Sequence, residues 1–398
     1  LIIYITILLF YVNVSAKAFQ QQEPPLFRLL SPEVTKVDFN NQLADKKEHN
    51  IMLYSNYYGG AGVGIGDINN DDLPDLFFGG NLVADELYLN RGQMKFEKIT
   101  SAAGIENNGG WSSGVIMADV NQDGWLDIYV TRELYDDSPE IRKNKLYINN
   151  KDNTFTEKAA EYGIDNSERT RHATFLDYDK DGDLDLFLLN QPPNPGDYSK
   201  FYQTELLIPE YRPVLYRNDG EKFMDVTQDA GLTKTGFPNS VTASDINDDG
   251  WTDLYVANDF WAGDWYYINN GDGTFTDHVL EKLPHTSFSS MGVDAADINN
   301  DGDLDIVGSG QGGNDNEFFW MENMDGQGMM GSEQFIGTTE NDFEFDHPLW
   351  TSDLDQDGDI DVLVKTSGGL RWYSNMDGLG NFDSPVTLIP GSENFTDL

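Results

Sequence analysis

The 398-residue chain has no cysteine, five histidines, and 25 lysines and arginines against 69 aspartates and glutamates. Without cysteine there are no disulfides, no thiolate ligands for zinc or iron–sulfur clusters, no thiol nucleophile and no lipidated N-terminal Cys. The shortage of cations leaves a formal net charge of −44. Such a field repels phosphate backbones, which excludes nucleic acid as a partner, and it disfavours anionic membrane surfaces for the same reason. Long apolar runs are also scarce, the one exception being Leu1 to Val14. What remains is 39% hydrophobic and 13% aromatic, with 39 glycines. That composition can bury a core, and its surplus of carboxylates suits hard cations.

The apolar run at the start is shorter than the ~20 residues that a spanning helix needs. It ends in Ser15-Ala16-Lys17-Ala18, an Ala-x-Ala pattern that predicts a signal peptide over residues 1–18, cut after Ala18. The opening Leu and the missing basic stretch read as a leader cut at its start. Residues 19–26 are expected to be a linker, and residues 27–398 the body of a secreted or cell-surface protein.

Self-comparison exposes six copies of one nine-residue loop. They run from Asp67 to Asp75, Asp119 to Asp127, Asp177 to Asp185, Asp245 to Asp253, Asp297 to Asp305 and Asp353 to Asp361. First aspartates are spaced by 52, 58, 68, 52 and 56 residues. Oxygens at positions 1, 3, 5 and 9, with a backbone carbonyl at 7, can wrap one cation. The candidate side-chain ligands are Asp67, Asn69, Asp71 and Asp75; Asp119, Asn121, Asp123 and Asp127; and Asp177, Asp179, Asp181 and Asp185. The later loops offer Asp245, Asn247, Asp249 and Asp253; Asp297, Asn299, Asp301 and Asp305; and Asp353, Asp355, Asp357 and Asp361. Calcium takes 6–8 oxygens at ~2.3–2.6 Å and fits such a loop better than the strictly octahedral magnesium, so about six structural Ca²⁺ are expected. A metal-free Asx-rich turn is the plain alternative for any single copy.

Position 6 is glycine in five loops, which permits the left-handed turn that folds the ligands inward. The first loop has Asp72 there and Pro74 two residues on, and is expected to bind weakest. The loops at 177–185 and 353–361, with aspartate at all four side-chain positions, should bind tightest. A helix–loop–helix calcium site is excluded. It needs Glu at position 12, where this chain has Phe78, Val130, Leu188, Val256, Gly308 and Val364. The flanks are β-like, as in Leu126-Asp127-Ile128-Tyr129-Val130. A second repeated element ends in Asn90, Asn149, Asn218, Asn269, Asn323 and Asn375, followed in most units by a glycine turn and Phe. Together these patterns predict four strands per unit.

The unit resembles the FG-GAP or VCBS repeat of integrin-α-like β-propellers, and Phe96 to Ile105, echoed at Phe223 to Leu232, is similar to exported bacterial members associated with ASPIC/UnbV domains. The resemblance implies an all-β propeller of four-stranded blades with calcium loops, and it says little about activity. Six blades are expected from about residue 51 to 390, with residues 27–40 read as the strand completing the last one. Propellers of this kind commonly have seven blades; a seventh would lie beyond residue 398 or in a degenerate unit over residues 19–60.

No catalytic set emerges. Gly110-Trp111-Ser112-Ser113-Gly114 has the spacing of a nucleophile elbow, but it leads into a strand rather than a helix. The glycines at 60, 62, 64 and 66 run into an acidic loop rather than a helix N-terminus, which rules out a nucleotide fingerprint. The five histidines lack metal or triad spacing. Recognition is expected at the end opposite the acidic loops, in the long connections carrying Arg132, Tyr135, Arg171, His172, Tyr198, Tyr202, Trp261 and Trp265; packing of these residues onto the scaffold is the competing reading. The expected function is a protein- or glycan-binding or adhesion module. An extracellular polysaccharide lyase or hydrolase is the alternative from another class, and a scaffold domain of a longer surface protein is a third.

Overall fold

The computed structural model describes residues 27–54, 56–105, 109–135, 137–192, 211–220, 222–259, 262–287, 289–312, 315–339, 348–366 and 368–390. The predicted signal peptide and linker lie outside them. Twenty-four strands form six antiparallel sheets of four consecutive strands each, arranged as the blades of a propeller. Blade 1 runs from Val63 to Lys98, blade 2 from Trp111 to Glu157 and blade 3 from Thr170 to Asp225. Blade 4 runs from Pro238 to Asp277, blade 5 from Ser290 to Thr339 and blade 6 from Leu349 to Pro390. Among the described residues helix is confined to four single turns, Pro32–Thr35, Pro139–Arg142, Ala159–Tyr162 and Val279–Lys282. Among the described residues no helix is long and apolar enough to cross a membrane.

The burial of each blade follows from being sandwiched. A strand sends alternate side chains to opposite faces, and an inner blade has a neighbour on both. In the second strand of blade 2, Asp127–Glu133, every residue is buried. Ile128 and Val130 enter the apolar cluster shared with blade 1, and Tyr129 the cluster shared with blade 3. Further clusters join blades 3 and 4, 4 and 5, and 5 and 6. Each large apolar side chain so buried contributes about 1.5–3 kcal/mol.

The acidic loops join first to second strands, and the turns joining third to fourth strands share their end of the propeller. Second-to-third connections and the links between blades emerge at the other end.

One expectation about closure is overturned. Residues 27–40 hold the helical turn Pro32–Thr35 and no strand, and blade 6 has its own fourth strand, Val386–Pro390. The early segment lies instead on blade 1, where Phe39 stacks on Phe78 with ring centroids 4.9 Å apart.

Acidic loops and the opposite face

All six loops adopt one backbone. Position 4 is left-handed in each, at Asn70, Gln122, Lys180, Asp248, Asn300 and Gln356. Position 6 is left-handed too: Gly124, Gly182, Gly250, Gly302 and Gly358 have φ from 83° to 101°, and Asp72 follows at 64°. An L-residue bears a cost there that glycine does not.

The position-9 aspartates are wholly buried and act as pins. In the third loop one oxygen of Asp185 accepts the Tyr178 N–H at 3.1 Å and the other the Asn218 N–H at 2.8 Å. The same pair of bonds recurs at Asp75, Asp127, Asp253, Asp305 and Asp361. Each carboxylate oxygen has a second lone pair, so a pin can also ligate. Burial, with the loop's other aspartates adding to it, raises these carboxyls to about 6 for Asp75 and about 7 for Asp127, Asp185, Asp253 and Asp305. Position 1 is the other organiser: Asp119 accepts from the N–H groups of Asp123 and Gly124 at 3.0 and 2.8 Å.

In two of the six loops three carboxylates gather closely enough to hold a hard cation. Carboxylate oxygens of Asp177, Asp179 and Asp185 lie within 4.8 Å of one another, as do those of Asp353, Asp355 and Asp361. Ligands ~2.4 Å from a shared ion can lie no farther apart than that. In the loops with asparagine at position 3, the Asn247 and Asn299 amides turn their nitrogens to the carboxylates of Asp249 and Asp301, while their oxygens take backbone N–H groups. Neighbouring loops also touch through position 4. Asn70 donates to the Gly124 carbonyl, Gln122 to the Gly182 carbonyl and Asn300 to Asp359, and the Lys180 ammonium lies 4.2 Å from the Trp251 ring.

At the opposite end the residues singled out for recognition divide. Arg132 is wholly buried, with Nη2 3.6 Å from Asp85, and its N–H donates to Asn144. Trp265 is core, packed in the cluster between blades 3 and 4. These two are scaffold, and the expectation that they face a ligand is corrected. A first-strand arginine, Arg171, reaches Glu133 at 3.3 Å. The neighbouring His172 is partly buried, and desolvation together with Arg171 holds its ring down to about 4. Tyr135 is half-buried and meets His49 edge-on at 5.4 Å. Tyr198, Tyr202 and Trp261 lie outside the described residues.

Sequence reasoning missed what covers this end. Tyr54 and Tyr57 pack with Trp111 and Leu134 into a small apolar cluster, and Asn56 reaches across to Gln191 at 2.9 Å. Beneath it sit the Arg132–Asp85 pair, the buried Glu133, and Arg169 with its guanidinium 5.7 Å from the Tyr54 ring. The aromatic run Tyr54, Tyr57, Tyr58 was the available signal. Ser112, at the centre of the elbow-like spacing, is buried in a strand and donates to Asp85 at 2.7 Å.

Fold and loops together define a β-propeller built on a repeated acidic loop. Residues 67–130, 136–188 and 245–308 match the FG-GAP-like repeat. The chain is an FG-GAP repeat propeller. It is 22% identical over 238 residues to cartilage acidic protein 1 of Homo sapiens and 21% identical over 238 residues to that of Mus musculus. Each match covers 60% of this chain and 34% of the relative, so the chain spans about a third of the length of these relatives. Among solved structures, an Agrocybe aegerita lectin described as recognising non-reducing terminal N-acetylglucosamine is similar in fold. Its TM-score is 0.50 at 21% identity, over 82% of this chain and 79% of that one.

Proposed function

We propose that this propeller is an exported, calcium-stabilised module that binds a glycan or protein ligand at the end opposite its acidic loops. The observation that carries this reading is the contrast between the ends. Six loops share one backbone and one buried pin, and two of them gather three carboxylates within reach of one ion, which suits a structural ion. The connections at the other end differ from blade to blade in length and composition. A rigid scaffold with variable loops is the usual setting for recognition. Bound calcium would neutralise carboxylates that otherwise repel at close quarters, coupling metal to folding. The lectin likeness supports a binding role at the level of fold. The leader-like start and the kinship with cartilage acidic protein 1 support export.

The test has two arms. Thermal melts in 2 mM Ca²⁺ and in excess EDTA, with ions counted by mass spectrometry, should give a midpoint at least about 10 °C lower without metal, with about six ions per chain. Glycan and peptide arrays in calcium should then show binding without turnover. No bound metal would overturn the structural role, and turnover of an acidic polysaccharide would replace binding with catalysis.

A further inference from the structure

Beneath the segment that covers the end opposite the acidic loops, three buried polar atoms make no hydrogen bond. They are the Tyr54 hydroxyl, the Trp111 indole N–H and Oε2 of Glu133. Their residues are 4%, 0% and 0% exposed. Leaving such a group unpaired away from water costs free energy, and buried polar groups are nearly always bonded. Three at one place point to a ligand.

The three share one site. Trp111 and Glu133 stand opposite each other at the ends of the first two strands of blade 2. The Tyr54 ring meets the Trp111 ring edge-on at 5.5 Å, and the Tyr57 ring lies 5.4 Å from the same indole. Burial first, and then the Glu133 charge, push the Tyr54 hydroxyl well above its ordinary value. It therefore stays neutral beside that carboxylate, able to donate and to accept. The corresponding pair in blade 3 is Arg169 and Gln191, joined by the Gln191 N–H to the Arg169 carbonyl at 2.8 Å. Arg169 sets its guanidinium 5.7 Å from the Tyr54 ring, and Gln191 accepts from Asn56 at 2.9 Å. Two adjacent blades wall the site, and Tyr54 with Tyr57 roofs it.

Charge decides what fits there. An anion would take the indole N–H but face the Glu133 carboxylate. A cation would pair with Glu133 but meet Arg169 and Arg171, the latter with Nη1 3.3 Å from Oε1 of that carboxylate. A hydroxyl avoids both conflicts. Its oxygen accepts from the Trp111 N–H and its proton goes to Oε2 of Glu133. Three aromatic rings beside it favour an apolar ring face as well. Hydroxyls combined with an apolar ring face are the chemistry of a sugar.

We propose that this site is a subsite for a neutral saccharide, one hydroxyl of which bridges Trp111 Nε1 and Glu133 Oε2 while its neighbour bonds the Tyr54 hydroxyl. The assignment rests on the reading that this end of the propeller binds a ligand, and it names the ligand's class and place. Arg171 is a positioning residue: it holds Oε1 of Glu133 and leaves Oε2 for the sugar. Tyr54 and Tyr57 come from outside the blades, and their N–H groups bond within their own segment, to the Asn50 and Tyr54 carbonyls. A sugar enters when these two side chains swing aside, which breaks no strand pairing, and Tyr54 then returns over it.

The test is NMR of the full chain with nitrogen-labelled indoles, in calcium, titrated with glucose, galactose, mannose and N-acetylglucosamine. Trp111→Phe assigns the Trp111 N–H resonance. At least one of these sugars should move that resonance more than any other indole. Glu133→Gln should weaken that sugar about tenfold or more, and Tyr54→Phe, which keeps the ring and loses the hydroxyl, about threefold. Melting midpoints without sugar check both variants, and if Glu133→Gln does not fold, Tyr54→Phe carries the comparison. The uronate and the amine of the same sugar should each bind at least about tenfold more weakly than the neutral form. Tighter binding of either charged form would overturn the assignment, as would unchanged affinity in the folded variants. Binding on glycan or peptide arrays with the Trp111 resonance unmoved by every sugar would leave water as the hydroxyl; it would overturn the subsite and leave the proposed function standing. No binding on any array would overturn both.

Discussion

The two ends of the propeller teach different lessons about how sequence becomes structure. At the acidic end most of the arrangement is local: nine residues set the oxygen donors and the left-handed turns, and positions 1, 5 and 9 are aspartate in all six copies. At the opposite end less repeats: Asp85, Asn144 and Asp264 each accept a backbone N–H from the close of the second strand and bond a hydroxyl of the next blade, but the charges around them differ. Arg132, Asp85, Glu133, Arg169 and Arg171 come from three blades, and Tyr54 and Tyr57 from a segment outside the blades covers them. The first end gathers oxygen donors in surface loops, and the second holds charges away from water in a fixed arrangement.

The largest effect that would separate the ends is loss of the buried pair. Arg132→Ala leaves Asp85 in an enclosed site without its cation and should cost about 3–5 kcal/mol. Calorimetry would show the loss, and the ion count should stay unchanged; a fall in bound calcium would break the claim that the ends are independent.

The next comparison lies inside one loop. Asp185→Ala orphans two buried N–H groups, those of Tyr178 and Asn218, and should destabilise by about 2–4 kcal/mol whether or not calcium is present. Asp181→Ala removes an exposed ligand and should cost stability in calcium while costing little in EDTA. Denaturant titrations of both variants, with and without metal, read the difference. Equal losses in EDTA would show that the pin has no role apart from the ion.

A smaller effect is the pH dependence of the metal-free protein. The pin carboxyls are raised in the folded state, to about 6 or 7, above their ordinary value of 3.8. The folded form therefore binds more protons than the unfolded form between those values, and stability falls as pH rises from about 4 to about 7. In EDTA the melting midpoint should be higher at pH 5 than at pH 7.5. Calcium should flatten or reverse that slope, because the ion favours the ionised carboxylates. A slope unchanged by calcium would dissociate the pins from the ion.

The smallest effect is Asp72→Gly. It relieves a left-handed aspartate and should raise the metal-free midpoint by a degree or two, about 0.5–1 kcal/mol or less. A lowered midpoint would mean that the Asp72 side chain contributes more than its backbone costs.

Much of this architecture was legible in the order of residues alone. Loop spacing, the β-rich flanks and the recurring Asn are local signals, and each maps onto a strand or turn of the blades. The nine-residue pattern does not reveal that position 9 is buried and bonded on both oxygens, because its two N–H partners come from the loop's start and from the third strand. Phe27 to Asn40 read as an outer strand because it carries the apolar spacing of one. Phe39 on Phe78 and Asp38 on Tyr88 dock the segment on blade 1, while blade 6 already has four strands. Trp265 reads as a loop aromatic because it directly follows Trp261-Ala262-Gly263-Asp264; it opens the third strand of blade 4, and its burial depends on packing between blades 3 and 4.

By itself, then, the sequence determined the repeat, the four-strand unit and the placement of oxygen donors around each loop, since all depend on residues within about nine positions of one another or on period-two alternation. Only tertiary structure decided which face of each blade is covered and which charges share the end opposite the loops. Those outcomes rest on contacts between blades far apart in the sequence, where burial is set by what lies across the seam.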